Sequence, residues 1–349
     1  MSHSIDPKTV PFVKGEIYQK NDFYPKMLAN LREPFIMRDV RGQSVDVYPV
    51  QYNPVTKVLR IYSEITITVI NNTRSAGINE FANSKRHGAI DPQFNQMYSN
   101  LFINHSITQR RGYPTGEDGE LLIICHTAFM ADMKPYIDWK RTIGRKTTMV
   151  STAITRTTAT AIKTYISDYY NNPYNNLAYV LLVGDSPQIP PHGTSSVPSD
   201  NIYGQLVGSD PYMEVLVGRM SAENVAHVQT QVQRAIWYER DINATNTWLN
   251  NGMGIAHEEG TGYGHDGGEA DYIHMDNIRS RLLNYRYSTV YQEYDGNCPG
   301  ISNTTATQIS QRFNGGVGIA NYCNHGTRHL RKIDYSKKVY LCVMLYKDI

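Results

Sequence analysis

Two rhythms of apolar and polar residues divide this chain. Up to about residue 80 the rhythm has period two. The run Val58-Leu-Arg-Ile-Tyr-Ser-Glu-Ile-Thr-Ile-Thr-Val-Ile70 alternates over its second half, as a strand with one buried face does. Val45 to Tyr52 alternates in part, Pro49 breaks the pattern, and Asn53-Pro54 marks a turn. A polar stretch from about Asn71 to Ile90 reads as a loop, and Asp91 to Leu101 as a short helix.

After Arg111 short apolar runs alternate with helical stretches. Strands are predicted at Glu120–Cys125, Lys146–Val150, Leu177–Val183 and Val215–Gly218. Helices are predicted at Met130–Ile143, stopped by Gly144, at Thr158–Tyr170 and at Ala222–Asp241. The pattern restarts with a strand at Gly252–Ala256 and a helix at Tyr272–Leu283. It then reaches a small-residue strand that runs into Asn321-Tyr-Cys-Asn-His-Gly326. Strands alternating with helices predict largely parallel sheets, so two α/β units follow an all-β segment.

Composition narrows the function. At 349 residues the chain has room for two or three domains, and 40% hydrophobic residues supply their cores. A formal net charge of +2 argues against a nucleic-acid binder. The four cysteines, Cys125, Cys298, Cys323 and Cys342, have no zinc-ligand spacing. Cys125 lies in an apolar run and is expected to be a buried small hydrophobe. No stretch approaches the roughly 18 apolar residues of a membrane span. The start lacks an apolar signal core, which predicts a cytoplasmic chain or an exported one whose true beginning lies upstream. The strand Tyr179–Val183 ends in Gly-Asp-Ser-Pro with no phosphate-binding glycine pattern, which disfavours a nucleotide binder.

Three groups of reactive side chains fall at or after strand ends in the second α/β unit. They are Glu258-Glu259, Glu269-Ala-Asp271 and His325. Parallel strands open on one edge, so these groups are candidates to converge there. A histidine titrates near neutrality and suits general acid/base work, and a cysteine thiolate is its natural nucleophilic partner. Taken alone, Glu259 and Asp271 read as solvated loop carboxylates, and one histidine among 11 is as readily structural.

From about Glu120 to Gly326 the chain resembles the gingipain-type cysteine peptidases, the arginine-specific branch in particular. The segments that carry the likeness include Tyr136-Ile-Asp-Trp-Lys140, Tyr179-Val-Leu-Leu-Val-Gly-Asp185 and Ser199-Asp-Asn-Ile-Tyr-Gly-Gln205. Val207-Gly-Ser-Asp-Pro-Tyr-Met-Glu214, Gly218-Arg219, Gly268-Glu-Ala-Asp271 and Asn321-Tyr-Cys-Asn-His-Gly326 follow in the family's order. The β-rich segment before Arg111 resembles the family's propeptide, most clearly at Tyr52-Asn-Pro-Val-Thr-Lys-Val-Leu-Arg-Ile-Tyr62.

The resemblance implies a caspase-like α/β fold of two subdomains and a Cys/His dyad that cleaves proteins and peptides after arginine. Residues 1–111 would be an intramolecular propeptide. Residues 112–250 and 251–349 would be the first and second subdomains, the second cut short. His325 falls on the family's catalytic histidine and Glu259 on a carboxylate near it. Asp271 falls on the acid at the floor of the arginine pocket, where a carboxylate can take a guanidinium bidentately. A structural calcium ion is implied at Asp185, Val207, Asp210, Tyr212 and Glu214, whose oxygens suit a hard cation. The resemblance also implies secretion or cell-surface display by an anaerobic bacterium.

The chain departs from the family around the nucleophile. Asn324 stands where glycine is usual, and the sequence from about Arg328 lacks the family's Ser/Thr/Trp-rich loop. Cys342, after a short apolar run, is the candidate nucleophile. Arg110-Arg111 would be the site at which such an enzyme releases its own propeptide. The alternative is an inactive relic or binding module that keeps the pocket and the calcium site without a nucleophile.

Overall fold

The computed structural model describes residues 11, 13–70, 77–79, 90–105, 119–194, 197–243, 245–258, 268–323 and 343–345. They fall into two compact units, Phe12–Ala235 and a second taking in Ile236 onward.

The first unit opens with three two-stranded antiparallel ladders. They are β1 (Ala29–Leu31) with β4 (Val45–Val47), β2 (Phe35–Met37) with β3 (Val40–Gly42), and β5 (Val50–Asn53) with β6 (Val58–Ile61). Pro49 separates β4 from β5, as its missing N–H requires. The alternating run that begins at Val58 pairs only as far as Ile61. Glu64–Ile70 is largely exposed and not strand, because it finds no partner strand among the described residues and its apolar face has nothing to cover it. Helix α1 (Pro92–Leu101) follows, with Asp91 as N-cap and proline in its first turn.

The same unit contains a four-stranded parallel sheet of β7 (Glu120–Cys125), β8 (Thr147–Ser151), β9 (Leu177–Val183) and β12 (Leu216–Met220), in the order β12-β9-β7-β8. Every residue of β7 is buried, as expected of a parallel strand covered on both faces. Helices α2 (Lys134–Thr142), α3 (Thr152–Thr155) and α4 (Ala159–Asn171) connect these strands. Ile162 and Ile166, one turn apart on α4, pack with Leu122, Ile124, Val150 and Leu182. The helix predicted from Met130 starts at Lys134, after a 3-10 turn at Thr127–Phe129, with Pro135 in its first turn. A short hairpin, β10 (His192–Thr194) with β11 (Val197–Ser199), precedes β12, and α5 (Val225–Ile236) follows it.

The second unit holds another parallel sheet. Its strands are β13 (Asn251–His257), β14 (Thr289–Asp295), β15 (Ile319–Cys323) and β16 (Val343–Leu345), in the order β14-β13-β15-β16. Helix α6 (Asp271–Asn284) packs on β13, with Met275 against Gly254. Helix α7 (Ala306–Gly315) starts at a capping box of Thr305 and Gln308. Neither β14 nor α7 is among the elements predicted above.

Candidate functional site

In the second sheet, the ends of β13, β14 and β15 lie along one edge. Ala256 of β13 pairs with Cys323 of β15, and His257 with Asp295 of β14, so three strands end side by side. Glu258 follows β13, and its Oε2 accepts the backbone N–H of Asn297 at 2.7 Å, tying two strand exits together. Gly296 has φ +86°, and a Cβ there would stand 2.8 Å from Glu258 Cγ, so the tight exit of β14 requires glycine. Asp271 opens α6, the helix that follows β13, and is half-buried in its first turn, where a negative side chain complements the helix dipole. The neighbouring Glu269 is held: its Oε1 lies 2.7 Å from His274 Nδ1, and its Oε2 accepts the Asn277 amide at 2.8 Å. Asp271, the other carboxylate of that group, lies in the first turn of α6.

His325, Glu259 and Cys342 lie outside the described residues, as do Arg110 and Arg111. Their described neighbours define the edges. Glu259 follows Glu258 at the exit of β13, and His325 follows the end of β15. Strand β16 runs parallel to β15 with Val343 level with Ala320. The chain therefore enters β16 at the edge opposite to the one where β15 ends.

Three cysteines are described, and all are thiols buried in the core. Cys323 and Cys298 pack with Ala256, Met275 and Tyr294. Burial pushes the Cys125 thiol up to about 12, and raises that of Cys298 as well. Such thiols are poor nucleophiles.

The five residues expected to hold calcium lie in the first unit. Glu214 is fully buried. Its Oε2 accepts the N–H groups of Leu206 and Val207 at 2.7 and 3.0 Å, while its buried Oε1 has no hydrogen-bond partner. Burial is the main reason its acid is pushed up to about 7, and the nearby Asp210 charge adds to this. A buried carboxylate with one unsatisfied oxygen, beside a second carboxylate, fits a hard cation. Asp210 Oδ1 accepts the Tyr212 N–H at 3.0 Å. Asp185, just past β9, instead accepts the Ser221 hydroxyl at 2.9 Å. Among the described residues no three His, Cys, Asp or Glu side chains gather closely enough to hold a metal ion. Asp210 thus acts on Glu214 through its charge, and Asp185 forms no group of three with them among the described residues.

The surface on the first sheet that receives the N-terminal segment has no counterpart among the features expected from sequence. Arg38, in the turn between β2 and β3 with φ +44°, is buried against the first sheet. It donates to the Leu177 carbonyl, to Glu214 O at 3.2 Å and to Asn176 Oδ1 at 2.8 Å, with its guanidinium carbon 5.0 Å from the Phe94 ring centroid. Met37, Phe94 and Tyr98 pack against Ala178. An arginine in a short polar turn carries no sequence signal for burial.

Another motif has a structural role. Arg219 forms a bidentate pair with Asp200 at 2.6 and 2.7 Å and donates to the carbonyls of Gly184 and Ile189. It thereby fixes the end of β9 to β12 and the turn after β11.

Residues 114–335 match the sequence profile of Peptidase family C25, which spans more than half of the chain. The chain belongs to Peptidase family C25. Residues 1–102 match the profile Propeptide_C25, so the N-terminal ladders and α1 belong to the family's propeptide. The chain is 38% identical to Gingipain R2 of Porphyromonas gingivalis over 329 residues, covering 94% of this chain and 43% of that protein. It therefore spans less than half the length of this relative. Two of the solved structures that resemble it each have a TM-score of 0.55. A complex of Porphyromonas gingivalis RgpB pro- and mature domains is 37% identical, covering 60% of this chain and 48% of that one. The Arg-specific cysteine proteinase gingipain R (RgpB) is 36% identical, covering 62% and 49%. These likenesses support the caspase-like α/β catalytic fold behind a propeptide.

Proposed function

We propose that this C25 chain is the precursor of a cysteine endopeptidase that cleaves peptide bonds after arginine. The observation that carries the reading is the shared edge of the second sheet. There β13 and β15 end side by side, the chain continues from them into Glu259 and His325, and Asp271 opens the following helix. The resemblance to Arg-specific relatives supports the roles. A thiolate, with Cys342 as candidate, attacks the carbonyl carbon after arginine. His325 protonates the leaving amine, Glu259 orients the imidazole ring, and backbone N–H groups near Gly326 hold the oxyanion. Asp271 takes the arginine guanidinium.

The propeptide part of the reading is a zymogen, with the N-terminal segment released after Arg110-Arg111. A structural calcium ion would be held by Asp210, Glu214 and the carbonyls of Val207 and Tyr212, with Asp185 as the fifth ligand. It would neutralise two neighbouring carboxylates and tie the loop between them. Among the described residues no helix is long and apolar enough to cross a membrane. The reading places the protein outside the cell or on its surface.

The register of β16 favours a second reading. Cys342 directly precedes β16 in the sequence, and the first residue of that strand, Val343, is level with Ala320 and not with the end of β15 at Cys323. The second reading is a binding module that keeps the arginine pocket and the cation loop without a nucleophile.

An arginine-directed chloromethyl ketone tests the choice. Alkylation located by mass spectrometry at Cys342, and lost in His325→Ala, supports the peptidase. A folded chain that acquires no adduct supports the binding module.

A further inference from the structure

The N-terminal segment grips the same loop that carries Asp210 and Glu214. Asp210 Oδ2 accepts the Ile36 N–H at 2.8 Å and the Asn79 side-chain amide at 3.2 Å. Asn79 Oδ1 in turn accepts the Ser209 N–H at 3.3 Å. The Phe35 ring stacks on Tyr212 with centroids 4.0 Å apart, and Arg38 donates to the Glu214 carbonyl. A Cβ at Gly208, where φ is +78°, would come within 2.8 Å of Asn79 Oδ1, so the approach is close. The segment thus touches Asp210, Tyr212 and Glu214, three of the five residues assigned to the cation.

We propose that the N-terminal segment supplies the outer hydrogen bonds of the cation loop, so that segment docking and divalent-cation binding reinforce each other. The inference rests on the calcium reading above. Two donors hold Asp210 Oδ2 from outside and leave Oδ1, which among the described residues accepts the Tyr212 N–H alone, with a lone pair for a cation. Carboxylates that ligate metals are oriented by such partners, and removing one typically costs about 10–100-fold in metal affinity. Linkage is reciprocal, so a bound cation strengthens the docking of the segment by the same factor. Removal of the segment would then loosen the loop, and chelation would loosen the segment.

The experiment is a calorimetric titration of the intact chain with calcium chloride, beside Asn79→Gly. Asn79 has φ +51°, so glycine removes the side chain without straining the backbone. The coupling predicts at least tenfold weaker calcium binding in the variant. Equal affinity in both chains overturns the coupling and leaves the calcium reading standing. A folded wild-type chain that binds no calcium overturns both. Hydrogen exchange at the Ile36 amide gives a readout that needs no substitution. Calcium should slow it at least tenfold, and an unchanged rate contradicts the proposal.

Discussion

Asp91 Oδ1 accepts the Tyr179 hydroxyl at 2.8 Å, joining the cap of a propeptide helix to a strand of the first parallel sheet. The same carboxylate caps α1 through the N–H groups of Gln93 and Phe94, and its Oδ2 accepts the Gly119 N–H at 2.9 Å. One buried side chain therefore serves the propeptide and the first subdomain together.

Asp91→Ala should destabilise the first unit by about 2–3 kcal/mol. About 1 kcal/mol comes from the lost cap, and the rest from a buried Gly119 N–H left without its acceptor. Asp91→Asn keeps one oxygen and should fall between alanine and the parent. Denaturant unfolding of the intact chain reads both values. Equal midpoints for all three chains would contradict the role given to this residue.

Arg219→Lys should be costly despite the conserved charge. Lysine cannot reproduce the bidentate pair with Asp200 while also reaching the carbonyls of Gly184 and Ile189. Both partners are part-buried, at 14% and 28% side-chain exposure. A loss of about 2 kcal/mol is expected, below the roughly 3–5 kcal/mol of a fully buried pair that loses one partner. Thermal unfolding of the variant checks it.

Much of the fold was legible in the sequence where burial on both faces leaves an unbroken apolar run. Glu120–Cys125 and Leu177–Val183 are such strands, and both form where predicted. The strand Thr289–Asp295 was not legible, because its tyrosines, Gln292 and Glu293 interrupt the apolar run. Glu293 is buried there and pairs with Arg312 at 2.7 Å. The strand expected over Glu64–Ile70 had the right alternation, but alternation does not supply a partner strand. Of the candidate site, Glu258 after β13 and Asp271 at the start of α6 lie where the sequence pattern put them, while Glu259, His325 and Cys342 lie outside the described residues. The burial of Arg38 and its grip near Glu214 were not, since both depend on contacts between segments distant in sequence.

The buried thiol of Cys125 sets a pH dependence. Its folded pKa, about 12, lies above the ordinary value of 9.0. The folded state therefore holds the proton more tightly than the unfolded state. That contribution is fully present below pH 9 and is lost as pH rises from 9 towards 12, by about 1.4 kcal/mol per pH unit. Cys125→Ala should flatten the alkaline limb of stability against pH. At pH 8 the native chain should also leave Cys125 unmodified by a thiol reagent, and its prompt labelling would contradict the burial.

The most direct test is hydrolysis of paired chromogenic peptides ending in arginine or lysine. The purified chain would be assayed with calcium and a thiol, after brief trypsin treatment to release the propeptide and subsequent inhibition of trypsin. The account predicts Arg-selective turnover that His325→Ala abolishes and that Asp271→Asn lowers at least 100-fold against arginine peptides. A chain shown to be folded that turns over neither peptide would contradict it.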